Sequence, residues 1–327
     1  MKTSIKILIT GGSGFIGTNL IEFYINLKSY DIRNVDIKPP QITEHLPFWI
    51  NLDVLDSVEL FNVINDFNPD FVIHLAAQTE LNENVTIDYY NSNIQGVENV
   101  LQAVKGINLK RIIIASSMLV NKVGYKFRDF DDYNPDTIYG ESKKLTELIT
   151  KKYDLNWTLV RPTSIWGPWF SIPYFNFFNY VISGFYFSVS INNSSIKTYG
   201  YVKNTCMQIH KLLISDFKFV NHKTFFLGDN PPLNISNWAD LISLKVHNRK
   251  VIKINKYLFL FICIFGQGLI FLGLKKFPLS YFRYKNMITN NIIDISQTIK
   301  ITGEPLVGSI DLQIDDTIKW INLKKNK

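Results

Sequence analysis

The octapeptide TGGSGFIG (residues 10–17) follows directly on the β-rich run IKILIT (5–10) and opens an apolar stretch that continues with helical spacing to about Lys28. Gly11, Gly14 and Gly17 recur every third residue, and Gly12, Gly14 and Gly17 give a second Gly-x-Gly-x-x-Gly reading. Glycines in such a run let the backbone turn sharply and approach its neighbours closely. Strand, turn and helix within so few residues leave little choice of architecture. The chain must end a strand, reverse and return as a helix, which is the first half of a βαβ unit.

The rest of the first half repeats that alternation. IRNVDI (32–37), DFVIHLAA (70–77), KRIIIASS (110–117) and WTLVRPTS (157–164) read as strands, and VLDSVELFNVINDF (54–67), IQGVENVLQAV (94–104) and TIYGESKKLTE (137–147) as helices. Continuous Ile/Val/Leu strands between amphipathic helices predict an α/β fold, a doubly wound parallel sheet of the Rossmann type covered on both faces. Beyond Pro168 the alternation lapses into the aromatic-rich WFSIPYFNFFNYVISGFYF (169–187), followed by a strand TFFLGD (224–229) and a helix ISNWADLISLKV (235–246). The expected division is 1–165 as the nucleotide-binding domain and 166–327 as a smaller substrate-binding lobe interleaved with late strands of the sheet.

Composition narrows the class. With 327 residues, 46% of them hydrophobic, the chain can bury one large core or a core plus an appended lobe. Its formal charge of +7 comes from lysines spread along the chain, without an arginine-rich stripe interleaved with aromatics, so nucleic acid is not an expected partner. Cys206, Cys263 and the five histidines show no ligand spacing, which argues against a disulfide framework or a metal site and for a reducing, cytoplasmic compartment. The N-terminal apolar run is too short for a signal peptide. The segment LFLFICIFGQGLIFLGL (258–274) carries one polar side chain, Gln267, between basic flanks. It falls short of the roughly 20 apolar residues a bilayer span needs. Three readings stay open: a buried lid or oligomer contact, contact with a membrane surface, or insertion.

The chemistry follows from spacing. Backbone N–H groups around Gly11, Gly14 and Gly17 can approach a pyrophosphate resting on the positive end of the following helix. Asp36 ends the second strand about 20 residues past the last glycine, where an adenosine ribose is bound in this fold. A carboxylate there accepts from the ribose hydroxyls and repels a 2′-phosphate, so NAD rather than NADP is the expected cofactor, although Lys38 nearby works the other way. Tyr139 and Lys143 are four residues apart and share a helix face. A phenol with a pKa of about 10 is a poor base at neutral pH. A nearby ammonium and the positive ring of an oxidised cofactor would both favour its phenolate. Ser117 ends the preceding strand run, where its hydroxyl can bond a reacting oxygen.

These stretches, together with NLDVLD (51–56), VIHLAAQ (72–78), NSNIQGVENVL (91–101), IIASSM (113–118), YGESK (139–143) and LVRPTSIWGP (159–168), resemble the extended short-chain dehydrogenase/reductases. The closest resemblance is to the NAD-dependent epimerase/dehydratase group that acts on nucleotide sugars. It continues more weakly through YGYVKN (199–204) to DLQIDDTIKWI (311–321), nearly the whole chain. The resemblance implies a catalytic set of Ser117, Tyr139 and Lys143. It also implies adenine contacts at Asp53 and Val54, a ribose-side lining from Leu75, Ala76 and Ala77, and a bracing role for Asn93. Pro162 should lie at the nicotinamide end, and Phe15 and Ile16 should contact the cofactor within the glycine turn. A homodimer and a setting in polysaccharide biosynthesis are implied as well. The activity implied is epimerisation of a nucleotide sugar by transient hydride transfer to NAD. The alternatives are a keto-sugar reductase, a hydroxysteroid-dehydrogenase-like oxidoreductase, and a nucleotide-binding scaffold without catalysis.

Three departures from the family pattern stand out. Asn121 and Lys122 replace the last two residues of the usual Val-Tyr-Gly. Met118 and Leu119 occupy the positions of the Asp-Glu pair that serves water elimination in the dehydratases, so dehydration is disfavoured. In KTYGYVKN (197–204), Lys197 and Asn204 stand where the family has Arg and Asp, which alters the expected diphosphate recognition.

Overall fold

A computed structural model describes residues 4–81, 84–171, 173–190, 195–271, 284, 288–304 and 308–325. The first half of the chain lays down β1 (Ile5–Thr10), α1 (Phe15–Leu27), β2 (Tyr30–Asp36), β3 (Trp49–Asn51), α2 (Ser57–Phe67), β4 (Phe71–His74), α3 (Asn91–Val104), β5 (Arg111–Ala115), α4 (Ile138–Thr150) and β6 (Trp157–Pro162). These six strands and the later strand Lys223–Leu227 form a seven-stranded sheet in the order Lys223–Leu227, β6, β5, β4, β1, β2, β3. Every pairing in it is parallel. The predicted doubly wound Rossmann sheet is therefore present. Its strand order reverses between β1 and β4, the switch point at which open α/β sheets bind ligands.

Alternation along the strands feeds two cores. Ile7 and Ile9 pack on one face with Leu20, Ile21 and Tyr24 of α1 and with Ile209 and Leu213 of the helix Val202–Ile214. Leu8 points to the other face, among Leu60 and Ile64 of α2 and Val97 and Leu101 of α3. Full burial of each such side chain contributes about 1.5–3 kcal/mol, which is why the central strands read as unbroken apolar runs.

The chain divides into two compact units. The first comprises Met1–Trp169, Gly200–Asp229 and Asp294–Val307; the second comprises Phe170–Tyr199, Asn230–Ile293 and Gly308–Lys327. In the second unit the aromatic-rich stretch forms a core around Trp238, whose ring lies 4.9 Å from those of Phe177 and Tyr199 and 5.5 Å from that of Phe178. A parallel pair, Phe187–Ser190 with Ile252–Asn255, supports the helix Lys256–Phe271. That helix contains residues 258–271 of the apolar segment, while 272–274 lie outside the described residues. Among the described residues no helix is long and apolar enough to cross a membrane.

Candidate active site

The glycine turn closes against the loop that follows β4. Gly11 has φ of 73°, and a Cβ there would lie 2.5 Å from the backbone nitrogen of Ala76. A Cβ on Gly17 would lie 2.4 Å from the carbonyl oxygen of Gly11. Both positions therefore exclude any side chain. Below the turn, Gly12 N–H donates to Asn34 Oδ1 at 2.9 Å, and Asn34 Nδ2 donates to Ser13 Oγ at 3.1 Å. The Asp36 carboxylate accepts from Ser13 N–H at 3.0 Å and from Lys38 N–H at 2.9 Å. Asp36 thus lies at the glycine turn, and the group of Lys38 that it engages is the backbone amide. Asn34, fully buried, is a support that sequence reasoning missed; its place two residues before Asp36 was the available signal.

The turn fits a dinucleotide pyrophosphate. Its glycines line a cradle that a Cβ would fill, and α1 starts at Gly14 with no side-chain cap and no acidic residue in its first turn. By contrast, Asp56 caps α2 and Thr137 caps α4. Phe15 and Ile16, in that uncapped first turn, pack partly buried against the core below.

The other residues expected around a cofactor sit on neighbouring strand ends. Leu75 N–H donates to Thr10 O at 2.9 Å, and Ala76 N–H reaches Thr10 Oγ1 at 3.4 Å. Val54 is buried against α3, where a Cβ on Gly96 would lie 2.8 Å from its Cγ2, and the Asp53 carboxylate accepts from Leu55 N–H at 2.9 Å. Asn93 is a brace. Its Oδ1 accepts from Gln78 N–H at 2.8 Å, and its Nδ2 donates to Gln78 O at 3.0 Å and to Ser142 Oγ at 2.9 Å, tying the segment after β4 to α3 and α4. Pro162 ends β6, paired with Leu227.

At the start of α4 the three expected catalytic side chains are all buried. Ser117 lies near enough to the Tyr139 phenol to act on it as a hydrogen-bond partner. Ser117 Oγ also accepts from Leu119 N–H at 3.1 Å, and Lys143 Nζ donates to Ala115 O at 2.9 Å, at the end of β5. Burial drives the Tyr139 phenol up to about 12, the Ser117 hydrogen bond opposes that rise and Tyr90 adds to it. The reading from spacing expects the ammonium to favour the phenolate; in the folded chain Lys143 Nζ donates to the Ala115 carbonyl, and desolvation raises the phenol. Lys143 is itself depressed to about 8 by burial, with Glu147 pulling it back up. His74, at the end of β4, is held down at about 3 by burial and by Lys143, so it is neutral at physiological pH.

Sequence reasoning also missed the support under this cluster. Glu147, one turn beyond Lys143, accepts from Ser116 Oγ at 2.5 Å, from Arg161 Nε and Nη2 at 2.8 Å each, and from Tyr133 OH at 2.9 Å. Gly140, next to the tyrosine, admits no side chain, because a Cβ would lie 2.2 Å from Leu119 O. Among the departures, Met118 and Leu119 lie in a 3₁₀ turn over Met118–Val120. Asn121 is buried, its Oδ1 accepting from Asn134 N–H at 2.6 Å, whereas Lys122 is exposed. Asn204 Nδ2 donates to Asp229 Oδ1 at 3.0 Å, and burial pushes the Asp229 carboxyl up to about 7. In the second unit, burial lowers Lys197 to about 8.

A family model described as the NAD dependent epimerase/dehydratase family matches residues 7–203. An Escherichia coli O157:H7 protein, N-acetyl-alpha-D-glucosaminyl-diphospho-ditrans,octacis-undecaprenol 4-epimerase, is 28% identical over 242 residues, which are 71% of this chain and 69% of that protein. Among solved structures, the UDP-glucuronic acid 4-epimerase of Bacillus cereus, in complex with UDP-glucuronic acid and NAD, superimposes with a TM-score of 0.74 at 17% identity, covering 98% of this chain and 100% of that one. The Bordetella bronchiseptica enzyme WbmG, in complex with NAD and UDP, gives a TM-score of 0.74 at 21% identity, covering 98% and 95%. At these identities the two structures establish the fold.

Proposed function

The chain belongs to the NAD dependent epimerase/dehydratase family, and on that premise we propose that it is an NAD-dependent nucleotide-sugar epimerase with Ser117, Tyr139 and Lys143 as its catalytic residues. The observation that carries the reading is the buried cluster itself: Ser117, Tyr139 and Lys143 are all buried, with Lys143 one helical turn beyond Tyr139. The first unit is the NAD-binding domain and the second the substrate-binding lobe. Gly11, Gly14 and Gly17, with Phe15 and Ile16, hold the pyrophosphate. Asp36, Asp53, Val54, Leu75, Ala76, Ala77 and Pro162 hold the rest of the dinucleotide, and Asn93 braces the loop beside it. Bound NAD supplies a hydride acceptor and donor.

The protein's part is proton transfer and orientation. Tyr139, as phenolate, takes the proton of a sugar hydroxyl, and Ser117 donates a hydrogen bond to the oxygen left behind. Lys143 supplies positive charge close to the phenol. Returning the proton to a reoriented sugar completes inversion at one carbon. Because Tyr139 is raised to about 12, chiefly by burial, its reactive form depends on that neighbouring positive charge. General-base action of this kind contributes about 10²–10⁴-fold. Met118 and Leu119 can transfer no proton, which supports epimerisation over dehydration.

A second reading of the substrate, a sugar on a polyprenyl diphosphate as in the name of the E. coli relative, is favoured by one observation: the helix Lys256–Phe271 turns large apolar side chains to solvent. The test is direct. Purified protein incubated with UDP-sugars interconverts a 4-epimeric pair without added reductant, whereas stoichiometric consumption of NADH with a keto-sugar would assign a reductase instead. Tyr139→Phe keeps NAD affinity and loses about 10²–10⁴-fold in turnover; retained turnover would remove the tyrosine from the mechanism.

A further inference from the structure

Among its described side chains, the helix Lys256–Phe271 is buried along one stripe. Phe259 and Cys263, one turn apart, pack on Val189 and Ile254 of the strand pair beneath. The other side faces water, with Tyr257 69% exposed, Leu258 51%, Phe261 68%, Ile264 55% and Phe265 59%. The same strand pair adds Phe187 and Ile252, and Phe185 stands beside it, all exposed. Scattered single apolar residues on a surface need no explanation, but five large ones on one helix face do.

The charge around this face is one-sided. Lysines are spread along the whole chain, but the acids that balance them are not. Residues 241–293 contain nine Lys and Arg and no Asp or Glu, while the remainder of the chain has 26 basic residues against 28 acidic. This one stretch therefore accounts for the positive charge of the protein. Lys245 is paired with Asp311 and Asp315, and Lys253 lies 3.6 Å from Asp240. Arg249, Lys250 and Lys256 are exposed just ahead of the helix or at its first residue, and Lys256 Nζ sits 4.8 Å from the centre of the Tyr257 ring.

We infer that this face docks the protein on the surface of an anionic lipid bilayer, with Tyr257, Leu258, Phe261, Ile264 and Phe265 entering the headgroup boundary and Arg249, Lys250, Lys253 and Lys256 meeting the lipid charges. An apolar helix face with basic and aromatic residues at its edge suits that boundary, where apolar groups enter the acyl region and basic side chains reach anionic headgroups. The helix is too short to span. A second copy of the chain is the poorer occupant. A two-fold interface sets the same patch against itself, which here opposes two basic surfaces. The inference does not depend on the catalytic reading, and its test uses no activity measurement.

The full-length protein is floated with vesicles of equal parts phosphatidylcholine and phosphatidylglycerol, and in parallel with phosphatidylcholine alone. It should float with the anionic vesicles, much less with the neutral ones, and less as salt rises. Lys250→Gln with Lys256→Gln should weaken binding roughly 25-fold, about fivefold per charge near the surface. Phe261→Asp with Phe265→Asp should abolish binding while leaving the melting temperature unchanged. The proposal is overturned by absence of binding, by equal binding to both vesicle types, or by a Phe261→Asp/Phe265→Asp variant that still floats. It is also overturned if that variant turns a dimer into a monomer in a protein that never floats, which would assign the face to a second copy.

Discussion

Replacing Glu147 by alanine tests the architecture beneath the proposed catalytic cluster. Both Glu147 and Arg161 have side chains that are 0% exposed, and the carboxylate accepts two hydrogen bonds from the guanidinium and one each from Ser116 and Tyr133. The rings of Phe130, Tyr133 and Phe226 lie 5.4–5.5 Å from the guanidinium carbon and keep water from it. Deleting the carboxylate leaves a buried cation without its counter-ion, which costs about 3–5 kcal/mol. In a protein of this size that lowers Tm by roughly 4–7 °C. Removing both charges, as Glu147→Leu with Arg161→Met, should recover most of the loss, because a well-packed apolar pair avoids the desolvation penalty. A second readout separates the local from the global effect. Glu147 is the influence that raises Lys143 against burial, so an alanine variant with residual turnover should lose it at lower pH than the parent. Calorimetry on the single and double variants is the assay. A Glu147→Ala protein that melts within about 2 °C of the parent, or a double variant as unstable as the single one, would refute the assignment of this pair as the site's support.

Other outcomes follow from the same geometry. Gly11→Ala should abolish NAD binding measured by calorimetric titration, since its Cβ would lie 2.5 Å from Ala76 N at a φ of 73°; a variant with parental affinity would show that the turn does not hold the dinucleotide. Asp229→Asn should change how stability depends on pH. The folded-state pKa of this carboxyl is raised to about 7, so its favourable contribution is present at low pH and is lost as pH rises from about 4 through 7. The melting temperature of the variant minus that of the parent should therefore grow across that window, and a flat difference would contradict the burial assigned to the carboxyl.

What could be read from the chain follows from how each feature is encoded. Strands of a sheet covered on both faces must be continuously apolar, so β1, β4 and β5 were legible as runs such as ILIT, FVIH and IIIA. The glycine turn was legible because its spacing is local. Glu147 and Arg161 are 14 residues apart on different elements, and only the packing of α4 on the sheet brings them together. Asn204 likewise meets Asp229 across 25 residues. Spacing placed Tyr139 and Lys143 on one face, but the direction in which the phenol is shifted depends on depth of burial, which spacing does not contain. The segment after Asn255 read as apolar all round, and only the fold distinguishes its buried stripe, Phe259 and Cys263, from its wet one.

The path of the chain between its two units also bears on synthesis. It passes from one to the other five times, and the first unit's last pieces are Gly200–Asp229 and Asp294–Val307. Val202, Ile209, Phe225 and Leu227 belong to the same core as Ile7 and Ile9, with Ile301 packed against it. A ribosome-bound fragment ending near Trp169 would therefore carry six paired strands with one greasy side covered only in part, by α1. Such a nascent protein cannot finish its first unit and make the second afterwards. Both units must wait for residues beyond Ile293, and losing those residues would injure the earliest-made part of the polypeptide.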